Sequence, residues 1–364
     1  MTINQKRKIG LYVLYGALGV FVLALVLSLG DIEDIFEAIK DADYRYILAA
    51  VGALLIYLAL YPLSLCILTK ANSHKISMGK TYGISMTEHF FNGITPFATG
   101  GQPFQAYAFK RSGVSIADAT SLLLMNFFVF MIVTNSFAAC ALFYFRRFVT
   151  DGAMTAIAII GFAMNFIVLF ITIGIATSKT ARAFFTSIVN LLAKWRLTHK
   201  LVAARRENLN EYFANVQVAF RALIRKKGAF TLAILSKAGA MAAYYATTFF
   251  ILHALYVDVP FNELFFILSG TSFAITMVIF LPTPGSSGGI EFAFKSVFGS
   301  IVTLYSPALA IDTIATGGML IWRVLTYYIV MLISLCFYIA LEFVLQRQAK
   351  LSLHTNQTEK ENLL

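Results

Sequence analysis

The sequence predicts an all-α polytopic membrane protein, transporter-like, with about six spanning helices and two opposed re-entrant helical hairpins arranged as an inverted repeat. Three observations carry this. Of 364 residues, 59% are hydrophobic and only 13% charged, whereas soluble domains run nearer half apolar and a quarter charged. Uncharged apolar runs cover 11–29, 46–69, 119–145, 153–178, 238–257 and 264–290, each near the roughly 20 residues that cross a bilayer as a helix. A short Gly-rich motif then occurs twice. The alternating ten-residue strands of an outer-membrane barrel are not seen in the sequence.

Run 11–29 is too long for a secretory h-region, and no small-x-small cleavage site precedes the acidic stretch from Asp31, so it is expected to stay as the first helix. Cys66, Cys140 and Cys336 all fall in apolar runs, where they read as small core residues rather than a disulfide or metal framework. No cofactor or metal is implied. The net charge of +11 is concentrated in 179–227, where eleven Lys and Arg face only Glu207 and Glu211. Between membrane helices such a block reads as a cytoplasmic segment against anionic lipid. No nucleic-acid motif accompanies it. Within it Leu209, Tyr212, Phe213, Val216, Phe220 and Leu223 recur at helical spacing, the pattern of an amphipathic helix on the inner leaflet.

Charge bias sets the topology. Lys6, Arg7 and Lys8 place the N-terminus inside, and the six acids of loop 30–45 lie outside. Lys70, Lys75 and Lys80 are inside again, as are Lys110 and Arg111. Segment 81–109 must therefore enter and leave on one face, turning in TPFATGGQPF (95–104). Arg146 and Arg147 on the outside are an exception to the bias. The second half carries TPGSSGGIEF (283–292), which matches the first turn as T-P-x-[AS]-[TS]-G-G-x-x-F from Thr95 and Thr283. If this second hairpin enters from outside, helix 313–344 runs inward and Arg347 and Lys350 end in the cytoplasm. The chain then divides into a transmembrane domain 1–345, with repeats of about 8–145 and 153–345, and a polar tail 346–364. Inverted repeats with broken backbone near the midplane are the plan of secondary transporters. Exposed peptide groups survive at that depth only when buried in protein or lining a wet cavity.

Several polar residues fall in this apolar frame. Arg323 lies in an uncharged run, where a bare charge costs about 2.5–3.5 kcal/mol or more, and Glu291, just after the second Gly pair, is its natural partner. Two readings remain open for the pair: a cavity lining that contacts a lipid headgroup or its phosphate, or a structural lock. Glu88, His89 and Asn92 lie on the first hairpin arm and read either as a titrating group suited to proton coupling or as a satisfied polar cluster. Gln102 and Gln105 follow the first turn and offer neutral hydrogen bonds. Gly100, Gly101, Gly288 and Gly289 permit tight turns and free backbone N–H groups that hold an anion, or simply let the tips pack closely. Lys237 and Lys295 are expected to reach an interface by snorkelling, with Lys295 the better site candidate, and Asn126 and Asn135 to bridge helices. Tyr327 and Tyr328 flank Arg323 in sequence. No catalytic residue is assigned. Gly285-Ser286-Ser287-Gly288 fits the GxSG of intramembrane serine proteases, a remote alternative, because no His follows within the last helix and the nearby His253 is expected at the outer surface.

The stretches FFNGITPFATGGQPFQAY (90–107), LPTPGSSGGIEFAF (281–294) and WRVLTYY (322–328) resemble, in order, the signatures of the lysylphosphatidylglycerol synthase transmembrane, or flippase-like, family. The resemblance covers roughly 8–344 and includes the membrane half of the multiple peptide resistance factor. It implies a cell-membrane flippase moving a phospholipid, such as aminoacylated phosphatidylglycerol, or a lipid-linked polar group between leaflets. Arg323 and Glu291 match the family's charged positions, whereas Gln102 stands where many relatives have an acid. The full-length resistance factor adds a cytosolic synthase that uses lysyl-tRNA. Here about 20 polar residues follow Val344, so that domain is expected to be missing. The alternative is a phosphatidylglycerol lysyltransferase or its membrane subunit, with lysyl-tRNA as donor and a role in resistance to cationic antimicrobial peptides. A lipid-binding scaffold is a third. The partners implied are anionic phospholipid, the bilayer and a separate lipid-synthesising enzyme.

Both termini are expected in the cytoplasm. A cysteine placed at Lys350 should escape an impermeant thiol reagent in intact cells and react after permeabilisation. Labelling in intact cells would contradict the topology.

Overall fold

The computed structural model describes residues 40–72, 76–149, 152–178 and 225–361, with a few isolated positions between 180 and 221. Run 11–29, the N-terminal basic residues and the proposed amphipathic helix lie outside the described residues. Among those described the chain is helical, with no strand.

Helix α1 (Tyr44–Leu60) starts at Asp43, whose carboxylate accepts from the Arg45 N–H at 2.9 Å, supplying one of the partners that a helix start lacks. Pro62 ends it. A proline has no N–H to return and its ring clashes with the carbonyl four residues back, so the chain breaks and resumes as α2 (Leu63–Ala71). The break leaves carbonyls without helical partners, and side chains from elsewhere supply them. Tyr82 Oη donates to Leu58 O at 2.8 Å, Ser236 Oγ to Leu60 O at 2.8 Å, and Lys237 Nζ to Tyr61 O at 3.1 Å.

The first motif forms a helical hairpin. Helix α3 (Met78–Ile94), capped by Ser77, leads to a tight turn at Pro96–Ala98 and then to α4 (Gly101–Arg111). Helix α5 (Ile116–Phe143), capped by Ser115, and α6 (Gly152–Thr177) follow. After the basic segment come α7 (Lys227–Ala254) and a second hairpin of α8 (Leu264–Val278), a turn at Pro284–Ser286, and α9 (Gly289–Tyr305). The chain closes with α10 (Ile311–Arg323), a π-helical segment Val324–Ile329 and α11 (Val330–Glu361).

The two turns share a backbone conformation at matched positions of the motif. Phe97 and Gly285 have φ of 56° and 57°, and Ala98 and Ser286 have φ of 50° and 54°. Two successive left-handed residues reverse the chain within a few residues, at a cost that non-glycine residues bear only where packing fixes them. The turns pack against each other, so the hairpins meet tip to tip.

Among the described residues five stretches are long and apolar enough to cross a membrane by length and composition: Tyr44–Ala71, Ile116–Phe143, Met154–Ile171, Phe261–Val278 and Ile311–Gln348. Four coincide with expected spans, whereas Phe261–Val278 is the leading arm of the second hairpin. Helix α7 has 28 residues but is not among the five, and its interior carries Lys237. The hairpin arms α3, α4 and α9 have 17, 11 and 17 residues, fewer than the roughly 20 that typically span, whereas α8 with the turn before it reaches spanning length.

Helix α7 packs along α1 and α2, and α11 along α3. On the latter seam the buried Ser334 hydroxyl enters the helical ladder of α3. It accepts from Phe90 N at 2.9 Å and donates to Met86 O at 2.6 Å, the two groups that would otherwise bond each other. Ion pairs fasten the hairpins to their neighbours. Arg111, at the end of α4, meets Glu342 on α11 at 2.6 Å. Arg147, between α5 and α6, meets Glu263 at 3.4 Å, the Tyr305 hydroxyl at 2.8 Å and the Phe266 ring at 3.9 Å. The Arg147 that departs from the charge bias therefore has a structural partner.

Helices α6 and α8 touch most closely at Gly161, where an added Cβ would lie 2.4 Å from Met277 O and 2.6 Å from Met277 Cα. Backbone cannot yield as a side-chain tip can, and small residues at such seams let membrane helices approach. Gly161→Leu should therefore destabilise the protein by at least about 1–3 kcal/mol, read as a lower melting temperature in detergent. An unchanged melting curve would contradict this packing.

Candidate functional site

The second turn, the π-helical segment and the tip of α3 line a half-open cavity of about 200 Å³, large enough to hold several waters. Its walls include His89, Asn92 and Gly93 from α3, Ala98 from the first turn, Gly285 and Ser286 from the second, and Trp322, Arg323 and Tyr327 from the last helix. Tyr57 of α1 and Tyr244 of α7 close one side.

Arg323 is 5% exposed, and its guanidinium is held by an ion pair, two hydrogen bonds and a ring. Its Nε lies 3.0 Å from Glu291 Oε1. Its Nη2 donates to Gly285 O at 3.1 Å and to Ser287 Oγ at 2.9 Å, and the guanidinium stacks 3.9 Å above the Tyr327 ring. Glu291 in turn accepts from Gly288 N at 2.6 Å through its second oxygen, the return half of a capping box at the start of α9. One carboxylate thus caps a helix and neutralises the arginine. Tyr327 completes the joint: its hydroxyl donates to Gly93 O at 2.9 Å. A Cβ at Gly285 would lie 2.4 Å from its ring, so glycine is required there for close approach as well as for its positive φ. The last helix therefore grips both hairpin tips through Arg323 and Tyr327. The π-helical stretch from Val324 widens the helix immediately after the arginine, a feature frequent at functional sites.

Three polar atoms at the cavity wall, Trp322 Nε1, His89 Nε2 and Arg323 Nε, are buried without a hydrogen bond among the described residues, the last meeting Glu291 as an ion pair only. Unsatisfied buried groups are costly, so the cavity is suited to water or a polar ligand.

A second charged cluster adjoins the first. Lys237 is fully buried at 0% exposure, correcting the expectation that it snorkels to an interface. Its ammonium is fixed by Tyr61 O and lies 3.4 Å from the Tyr61 ring centroid. Tyr61 Oη donates to Glu88 Oε2 at 3.3 Å, which also accepts from Gln105 Nε2 at 3.4 Å. His89 packs on Tyr61 and Tyr57, with ring centroids 4.7 Å and 5.6 Å apart. Sequence reading missed the Lys237 site because nothing in α7 signals that Pro62, far away in sequence, exposes carbonyls to it.

Of the residues singled out in sequence, Arg323, Tyr327, His89 and Asn92 line the cavity, with Glu291 held against Arg323. Glu88 and Gln105 stand one layer behind. Gly101 N donates to Asn92 Oδ1 at 2.8 Å and Gly100 N to Thr95 Oγ1 at 2.8 Å. Their N–H groups are thus already used inside the first hairpin. Gln102, Gly288 and Gly289 are not among the lining residues. Lys295 instead pairs with Asp312 at 2.7 Å, away from the cavity. Asn126 bridges helices by accepting from Ser64 Oγ at 2.9 Å, whereas Asn135 bonds within its own helix. No group of three metal-ligating side chains occurs among the described residues. Ser286 and His89 share the cavity, a meeting invisible in sequence. No hydrogen bond joins them among the described residues, so the activated serine of a protease is not assembled.

Residues 12–334 match the family described as the lysylphosphatidylglycerol synthase TM region. The chain is 22% identical over 336 residues to a UPF0104 membrane protein of Methanothermobacter thermautotrophicus, covering 90% of this chain and 93% of that one. It is 23% identical over 340 residues to an uncharacterized protein of Mycoplasma pneumoniae, covering 87% and 83% respectively.

Breaking a buried ion pair costs about 3–5 kcal/mol because one charge is left alone. Arg323→Ala should lower the melting temperature more than Glu291→Gln, whose amide can still accept from Gly288 N–H. The double variant should be more stable than Arg323→Ala alone. Melting curves that match wild type for both single variants would show that the pair holds nothing.

Proposed function

Because the chain belongs to the lysylphosphatidylglycerol synthase transmembrane family, we propose that it moves a phospholipid, or a lipid-linked polar group, between the two leaflets of the cell membrane. The observation that carries this reading is a buried arginine on the wall of a polar cavity where two hairpin tips meet. The guanidinium suits a phosphate, and the free Trp322 and His89 nitrogens offer further hydrogen bonds to a headgroup. Acyl chains would stay in lipid while the headgroup passes through. The shared conformation of the two turns and the shortness of the arms α3, α4 and α9 support an inverted repeat with re-entrant hairpins. Both termini are then cytoplasmic.

Movement follows from this arrangement without covalent chemistry. The ion pairs Arg111–Glu342 and Arg147–Glu263 fasten the first and second hairpins respectively. Rocking one hairpin against the other would open the cavity to each leaflet in turn. Arg323 stays close to the headgroup throughout, because it is bonded to the second turn rather than to a mobile loop.

The family description also supports a second reading, a lysyltransferase or its membrane subunit. A transferase makes a new lipid, whereas a transporter only relocates one. Purified protein in vesicles should move labelled phosphatidylglycerol between leaflets, and added lysyl-tRNA should yield no lysylphosphatidylglycerol. Formation of that lipid without another protein would favour the enzyme. If Arg323 contacts the headgroup, Glu291→Arg/Arg323→Glu should fold yet stay inactive, since a carboxylate then faces the phosphate. Full recovery of movement by the swap would reduce the pair to a lock.

A further inference from the structure

We infer that Glu88 takes up one proton for each net-anionic headgroup carried through the cavity, so that lipid and proton cross together as an electroneutral pair. This rests on the transport reading above and specifies its coupling and its substrate charge.

The starting point is charge balance. The two buried cations near the cavity are each matched by one carboxylate: Arg323 by Glu291 at 3.0 Å, and Lys237 by Glu88, with Tyr61 between them, its carbonyl accepting from Lys237 and its hydroxyl donating to Glu88. The resident charge is therefore zero. A phosphodiester headgroup without a compensating amine adds one negative charge in a region shielded from water, where an uncompensated charge is strongly disfavoured. A proton is the smallest compensation, and it needs an acceptor nearby.

Only one of the two carboxylates is suited to receive it. Glu291 lies against the Arg323 guanidinium as an ion pair at 3.0 Å and accepts from the Gly288 N–H at 2.6 Å through its other oxygen. Glu88 is held by weaker, neutral donors, Tyr61 Oη at 3.3 Å and Gln105 Nε2 at 3.4 Å. Its closest cation, Lys237, is spent on Tyr61 O, and no ion pair within 4.0 Å joins Lys237 to Glu88 among the described residues. Protonating Glu88 thus gives up less than protonating Glu291. The Tyr61 hydroxyl both donates and accepts, so it can turn to receive the new O–H.

The groups facing Glu88 come from each packed element. They are Lys237 from α7, Tyr57 from α1, Tyr61 from the break after it, Gln105 from α4, and Asn92 and His89 from its own helix. His89 and Asn92 also line the cavity, which gives the proton an approach from the substrate side. In each cycle a proton from one compartment converts the carboxylate to the carboxyl. Its release to the other compartment restores the carboxylate. No electron moves and no bond in the lipid changes.

The test uses the full chain in sealed vesicles with a gradient of one pH unit. Labelled phosphatidylglycerol, phosphatidylethanolamine and lysylphosphatidylglycerol are followed separately. One proton per lipid predicts that phosphatidylglycerol accumulates about tenfold in the leaflet facing the alkaline side. Clamping the membrane potential should not change that ratio, because the pair is neutral. Phosphatidylethanolamine and lysylphosphatidylglycerol should show no such accumulation, and Glu88→Gln should abolish it for phosphatidylglycerol. Even distribution of moving phosphatidylglycerol, or accumulation that persists in Glu88→Gln, would overturn the inference while leaving the transport reading intact. If no lipid moves in any arm, the transport reading fails and the inference with it. Should Glu88→Gln not fold, the wild-type ratio and the pH change inside the vesicles decide the matter.

Discussion

Carbonyls released where helices break are met by side chains from distant segments, and that constraint organises much of the structure among the described residues. The backbone breaks at Pro62 and at the two hairpin turns. At Pro62 the released carbonyls of Leu58, Leu60 and Tyr61 are met by Tyr82, Ser236 and Lys237. At the second turn the carbonyl of Gly285 is met by Arg323. In both cases one of the donors is a buried cation. Each cation then calls for a carboxylate, and both carboxylates, Glu88 and Glu291, lie on hairpin arms. Polar groups that elsewhere would be a liability at apolar depth become the joints between the hairpins and the long helices.

This explains why the cavity forms where it does. Arg323 cannot leave Gly285 without exposing a carbonyl, and Tyr327 cannot leave Gly93 without exposing another. The last helix is therefore bound to both tips, and the space between the tips cannot be filled by the usual interlocking of apolar side chains. Trp322 and His89 present unpaired nitrogens to the space that remains. The occupant proposed for that space is a lipid headgroup.

Much of this was legible in the sequence, for identifiable reasons. Apolar runs of membrane-spanning length are a strong signal, and four of the five long apolar stretches coincide with them. The repeated turn motif was readable because its Thr-Pro start and Gly pair encode a particular backbone path, realised at Phe97 and Gly285 with nearly equal φ. The Glu291–Arg323 pair followed from the cost of an isolated charge in an apolar run. What escaped was contact between distant segments. Lys237 looked like a snorkelling residue because its partner is a carbonyl freed by a proline on another helix. Lys295 looked like a site residue until Asp312, on the next helix, was found beside it. Nothing in a pattern of residue types records which backbone groups lack partners.

The claim on which these relations converge is that the headgroup passes between the hairpin tips. After replacement of Cys66, Cys140 and Cys336, a single cysteine at Ser286, on the cavity wall, can be modified with a bulky thiol reagent in vesicles. Lipid movement is compared with that of the same variant before modification. Modification at Ser286→Cys should stop movement, whereas modification of a cysteine at the exposed Lys110 should not. Undiminished movement with the cavity blocked would contradict a path between the tips.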